Sequence, residues 1–248
     1  MDVQKDFDIL EFPFVGVAAY WLSIKKLVGA KRNVKALEEE AAYTSEPYIK
    51  YLLELCFSDL DDQRVRMLMA VRRDVQLDTI RRKFDLMRMA LVDVADSENP
   101  RKTLAKMSAQ FTVQELTEEK AFAYAQDLAK VASGKSNNHA AFFNVDHRLK
   151  PDKLMVTLLF YVMWARREGK LALQPFLRHI RSEYFAEGLS LVADGFEAPF
   201  VRKRMRVQRD VILDEARLKM DMSAELCMGI RHRLTYEDLF RMTKAYLA

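Results

Sequence analysis

A chain of 248 residues, 50% hydrophobic and 31% charged, carries enough apolar material for a sizeable core and too much for a disordered segment. Seven glycines and six prolines supply few turns for a β-rich fold, and two cysteines exclude a disulfide framework. The formal net charge of +4 is mild for this length and does not by itself indicate nucleic acid.

The first eleven residues are a polar lead in which Asp2, Lys5, Asp6, Asp8 and Glu11 replace the basic start and apolar core of an export signal. The chain is therefore expected in the cytoplasm. Residues 14–29 read as a buried helix with Pro13 at its first position, where the missing amide hydrogen is not needed. Its apolar run from Phe12 stops at Lys25-Lys26, and that of Leu154 to Trp164 stops at Arg166-Arg167. Both are shorter than the roughly 18 to 20 residues of a membrane span. Helical composition continues over 30–42. Ser45-Glu46-Pro47 then predicts a new helix with serine as N-cap and with Tyr48, Leu52, Leu55 and Cys56 on one face. Cys56 and Cys227, each in an apolar helical pattern, are expected as buried free thiols.

Asp59 to Asp62 breaks that helix and caps the next, expected over 63–94. Its apolar stripe is Leu77, Ile80, Phe84, Met87 and Leu91, spaced three and four apart. Residues 65–85 recur at 201–221, with twelve identities in twenty-one positions: Val65, Arg66, Met69, Val71, Arg73, Asp74, Val75, Leu77, Asp78, Arg81, Lys83 and Asp85. About one would arise from ordinary residue usage. The chain therefore reads as an all-α tandem duplication with long amphipathic helices. Asp74, Asp78, Arg81 and Asp85 form a charged stripe that returns as Asp210, Asp214, Arg217 and Asp221. Such a stripe serves as a solvated face, as a recognition surface, or as a contact between the two copies.

Ser97 to Pro100 closes the first copy, and Thr112-Val113-Gln114-Glu115 is a capping box for a helix to about Ala132. Ser133 to Asn138 is a polar loop, so the expected division is a first helical unit at 1–133, a linker at 134–147 and a second unit at 148–248. In the second unit a helix spans 152–168, Ser182 caps another that ends at Gly195 in a left-handed C-cap, the repeated helix covers 197–230, and Thr235 to Asp238 caps the last.

Gly134-Lys135-Ser136 lacks the first glycine of a phosphate loop, since position 129 is Ala129, and no strand is expected before it. His139, His147, His179 and His232 show no metal-ligand spacing, and there is no nucleophile elbow. The basic run Arg202 to Arg209 is spread around a helix and followed by Asp210 and Asp214, as in a solvated face. These patterns predict a non-enzymatic protein with no catalytic residue, no cofactor, no metal and no nucleic-acid partner.

Two segments carry a family likeness: Ala165-Arg166-Arg167-Glu168-Gly169-Lys170-Leu171-Ala172-Leu173, then Leu191-Val192-Ala193-Asp194-Gly195 leading through Val201-Arg202 into the long helix. Their order and spacing over about 164–215 resemble the cytoplasmic part of MotA-type flagellar stator subunits. In that family an arginine and a glutamate flanking the first segment engage the rotor switch protein. The likeness places the arginine at Arg166 and the glutamate position at Gln174; in the first copy the glutamate is Glu38 and the arginine position is Ala30. The resemblance thus implies a duplicated stator-like unit without membrane spans or ion channel. Its partners would be rotor switch or stator components, and it would modulate motor assembly or torque at the flagellar base. The expected partner-binding residues are Glu38, Arg166, Gln174, Asp74, Asp78, Arg81, Asp210, Asp214 and Arg217. The alternative expectation is a helical adaptor of another cytoplasmic assembly.

Overall fold

The computed structural model describes residues 7–29, 33–111, 116–134 and 142–247, and among these every regular element is helical. Helix α1 (Phe14–Val28) follows Pro13, which occupies the N-cap, one place earlier than expected, because its ψ of 156° is extended. It ends at Gly29, whose φ of +61° is a conformation that favours glycine. Helix α2 (Val34–Tyr43) is capped by Asn33. Helix α3 (Pro47–Cys56) is capped by Glu46 and not by Ser45. Pro47 is preorganised for the first helical position, so the residue just before it becomes the cap. The Ser45 hydroxyl donates instead to the Phe7 carbonyl.

Helix α4 (Asp62–Ala95) is followed by α5 (Pro100–Ser108), a helix missed in the sequence pattern although Asn99-Pro100 is a cap followed by a first-turn proline. The capping box at 112–115 lies outside the described residues; α6 (Glu118–Ser133) is capped by Thr117. Helix α7 (Pro151–Glu168) leads into a 3-10 segment, Lys170–His179. Helices α8 (Glu183–Ala193), α9 (Ala198–Arg231) and α10 (Tyr236–Lys244) complete the chain, with Ser182 and Thr235 as the expected N-caps. Gly195 has the expected positive φ, +89°.

The element bounds recur with a shift of 136 residues: α4 with α9 and α5 with α10 at both ends, α2 with the 3-10 segment at both ends, and α3 with α8 at the start. Among the described residues, the two non-glycine residues with positive φ, Ser97 and Arg233, obey the same shift. One difference has a local cause. Pro175 lies inside the 3-10 segment, where in an α-helix its ring would clash with the carbonyl of Leu171, four residues back.

Helices α4 and α9 have 34 residues each, hence a length of about 50 Å, longer than a small domain is wide. Each contributes residues to both of two compact units. Unit 1 comprises Met1–Asp78 with Val211–Ala248, and unit 2 comprises Thr79–Asp210. These bounds differ from the 1–133 and 148–248 division expected from sequence, since each unit contains residues from both sides of the expected linker. In unit 1, α10 packs on α1 and α2 on α3. In unit 2, α5 and α6 pack on α7, and the 3-10 segment on α7 and α8.

The apolar stripe behaves as its periodicity predicts: Leu77, Ile80, Phe84, Met87 and Leu91 are all buried. Unit 1 buries Trp21, Tyr48, Ile49 and Leu52. The core of unit 2 is aromatic, with Phe160, Tyr161 and Phe176 in mutual edge contact at centroid distances of 5.2 to 5.8 Å. The Tyr161 hydroxyl donates to the Phe143 carbonyl at 2.7 Å. Gly188 of α8 is the close approach: a Cβ there would lie 2.3 Å from Leu91 Cδ1 and 3.0 Å from Met205 Sδ, so a side chain is excluded unless both move. Among the described residues no helix is long and apolar enough to cross a membrane.

Candidate functional site: the repeated long helices

In unit 1 the first half of α4 and the second half of α9 are joined by a ladder of ion pairs. Arg66 donates to Glu225 at 2.6 Å, Arg73 to Asp221, Arg217 to Asp74 at 2.9 Å, and Arg231 to Asp62 at 2.7 Å. Arg231 also donates to the carbonyls of Cys56 and Ser58, both at 3.0 Å, satisfying the end of α3. Hydrogen bonding from Arg73, then from Arg217, holds the Asp74 carboxyl below the usual carboxylate range. In unit 2 the complementary parts of the two helices repeat one rung of this ladder: Arg209 donates to Asp85, and Arg88 supports Asp85 at 2.9 Å.

Two further groups act at positions related by the shift of 136 residues. The hydroxyls of Tyr48 and Tyr184 donate to the backbone carbonyls of Met69 and Met205, at 3.3 and 3.0 Å, tying α3 to α4 and α8 to α9. Burial pushes both phenols up. Lys83 donates to the His147 carbonyl at 2.7 Å, and Lys219, only 2% exposed, reaches the Leu10 carbonyl at 3.5 Å and pairs with Glu215 at 2.7 Å. Each lysine thus fastens the segment that enters α7 or α1. In the sequence Tyr48 was expected only on an apolar face and Lys83 only as one of the twelve identities, with no tethering role for any of the four. The signal was present, since Tyr48 and Tyr184, like Lys83 and Lys219, are identical at the shift of 136.

Of the charges expected to bind a partner, the structure brings Asp74 and Arg217 together, as a contact between α4 and α9 within unit 1. Asp210 accepts from Arg209 through Oδ1 at 2.7 Å. Asp78 is half-buried, and Arg81 and Asp214 are exposed. Glu38 lies exposed on α2 in unit 1, while Arg166 and Gln174 lie exposed on α7 and the 3-10 segment in unit 2. Cys56 and Cys227 are buried thiols whose sulfurs face backbone carbonyls: Sγ of Cys56 lies 3.6 Å from the carbonyl of Cys227, and Sγ of Cys227 lies 3.4 Å from that of Leu52.

Unit 1 holds a cleft of about 350 Å³ lined by Tyr48, Arg66, Arg73, Asp221, Glu225 and Tyr246. Both arginines already face a carboxylate within it, so the cleft neutralises its own charge and serves to join helices. Glu46, the cap of α3, is a buried carboxylate that accepts from the amides of Ile9 and Tyr48 at 3.1 and 3.3 Å and from Gln76 at 2.7 Å. Burial outweighs these three donors and raises its pKa above 4.5. The folded state therefore holds this proton more tightly than the unfolded chain. The resulting stabilisation is complete below the unfolded value and is lost as pH rises through the folded one. Glu46→Gln should gain stability relative to the native chain as pH is raised from 4.5 towards neutrality. Urea unfolding of both proteins across that range measures it; a difference independent of pH would refute the assignment.

Comparison with protein-family models, with curated proteins and with solved structures finds no match for this chain.

Proposed function

We propose that the chain is a tandem duplication whose long amphipathic helices form the frame of a non-enzymatic, cytoplasmic interaction protein. The observation that carries this reading is a set of exposed valines. Val71 and Val75 on α4, and Val207 and Val211 on α9, are 54, 55, 49 and 59% exposed, yet they are the same residue in both copies. A β-branched side chain at an exposed helix position lowers helix propensity and adds nothing to the core. Its retention in both copies favours a contact with another protein.

The resemblance of residues 164–215 to MotA-type stator subunits supplies the partner class: the rotor switch or the cytoplasmic part of the stator, with motor assembly or torque as the property modulated. The exposure of Glu38, Arg166 and Gln174 supports this, because each is accessible on a helical frame. The direct test uses purified rotor switch protein and stator cytoplasmic domain from the same organism. Binding should be abolished by Arg166→Glu with Glu38→Arg, while the melting temperature stays within a few degrees, since an exposed charge contributes at most about 1 kcal/mol. Deletion should impair swimming and leave filaments normal. If the native chain binds neither component and swimming is intact, the protein belongs to another assembly.

A further inference from the structure

The self-neutralised cleft of unit 1 has a differently charged counterpart in unit 2. Of the nine residues that line the cleft, five are identical at the shift of 136 residues and four are not. Where unit 1 has Ala70, Ala224, Glu225 and Tyr246, unit 2 has Arg206, Arg88, Met89 and Gln110. Two arginines with two carboxylates in the one therefore correspond to four arginines with a single carboxylate, Asp85, in the other.

These four arginines come together within unit 2. Arg202, Arg206 and Arg209 are spaced four and three apart on α9, and so share one face. Arg209 donates to Asp85, which also receives Arg88 through Nε at 3.3 Å and Nη2 at 2.9 Å. The charges of Arg88 and Arg209 both act on the phenol of Tyr184, whose hydroxyl is bound to α9 at Met205. Asp85 is thus shared by two cations, and Asp210 is taken by Arg209 at 2.7 Å. In unit 1 Arg66 reaches Glu225 at 2.6 Å, whereas Met89 offers its counterpart Arg202 no carboxylate. Among the described residues, the exposed side chains of Arg202 and Arg206 form no ion pair or hydrogen bond within the chain.

We infer that this face of unit 2 binds a soluble anion of linked phosphoryl groups, of the di- or triphosphate class, held by Arg202 and Arg206 with Arg88 and Arg209 beside them. A carboxylate satisfies one or two guanidinium groups, whereas each phosphoryl group brings three strong acceptor oxygens and up to two charges. Planar guanidinium forks take such oxygens in pairs. Arg202 and Arg209 stand seven residues apart, about 10 Å along the helix, which is more than a single phosphoryl group spans. Linked groups cover that distance. Clustered arginines repel one another when left alone, so a multivalent anion that neutralises them gains more here than at the balanced cleft of unit 1. Binding of this kind needs no motor partner, so its failure leaves the motor reading untouched, and the reverse also holds.

Calorimetric titration of the full chain with inorganic tripolyphosphate, and separately with inorganic phosphate, in about 150 mM KCl tests this. One tripolyphosphate per chain is expected, bound at least about tenfold more tightly than phosphate. Arg202→Ala with Arg206→Ala should weaken it by about 100-fold while circular dichroism is unchanged, since both side chains are exposed. Met89→Glu should weaken it by roughly tenfold, because it returns the carboxylate that Arg66 meets in unit 1. Arg64→Ala, which removes an exposed arginine of unit 1, should leave it within about twofold. Absence of binding at millimolar tripolyphosphate overturns the inference. So does binding that neither the arginine pair nor Met89→Glu changes, or several weak sites that take phosphate equally well, which would mean an adventitious ion only. A poly-glutamate peptide bound as tightly as tripolyphosphate would also overturn it, since the face would then dock an acidic protein.

Discussion

Phe84→Ala should destabilise the protein by about 3 to 5 kcal/mol, with a fall in Tm of roughly 6 to 20 °C. Phe84 is 3% exposed and belongs to the stripe that α4 buries in unit 2. Its ring packs on Tyr184 at a centroid distance of 4.7 Å and approaches His147 at 6.3 Å. Truncation removes the apolar transfer energy and opens a cavity beside the ring of Tyr184, whose hydroxyl ties α8 to α9. The walls can collapse little, because Met87 and Leu91 on the same stripe are themselves fully buried. Phe84→Leu should keep most of the volume and lose less than half as much. Urea unfolding of both variants decides the matter. A loss below about 1 kcal/mol for the alanine variant would mean that this stripe is not the core of its unit.

The second large effect is expected at Asp85, where the repeated charges become partly buried. Its side chain is 17% exposed, and it receives Arg209, itself 14% exposed, together with Arg88 at 2.9 Å. Asp85→Ala leaves Arg88 without its carboxylate and Arg209 with Asp210 alone, two guanidinium groups close together with little water, and should cost about 2 to 4 kcal/mol. Asp74 is chemically the same residue in the same stripe, but it and Arg217 are 54 and 42% exposed. Asp74→Ala should therefore cost no more than about 1 kcal/mol. A double-mutant cycle of Asp85 with Arg209 should give a coupling well above that of Asp74 with Arg217. Equal couplings would show that burial is not what separates the two pairs.

Much of the local structure was legible because its causes are local. Ser182 and Thr235 cap their helices through bonds to the amides of Phe185 and Asp238, as the short polar side chains before apolar runs suggest. Ser45 misled because the proline two residues on moved the first helical position and handed the cap to Glu46. Helix α5 was overlooked because Asn99-Pro100 reads equally as an ending and as a beginning. Arg73, Lys83 and Asp85 recur unchanged at the shift of 136, which does not say whether they look inward or outward.

Amino-acid order by itself determined the all-helical class, the shift of 136 residues and the buried face of the repeated helix, because caps and a period of 3.6 act within a few residues along the chain. Tertiary structure alone decided where the compact units are cut and which of the repeated charges meet. Two helices of about 50 Å cannot each stay inside one small unit, so halves from both copies combine. Once they run antiparallel, Arg73 reaches Asp221 and Arg209 reaches Asp85, whereas sequence spacing alone offered Asp74, Asp78, Asp85 and their counterparts as equal candidates. Pairing between distant segments depends on how the helix faces are presented to one another, and no periodicity within a single helix contains that information.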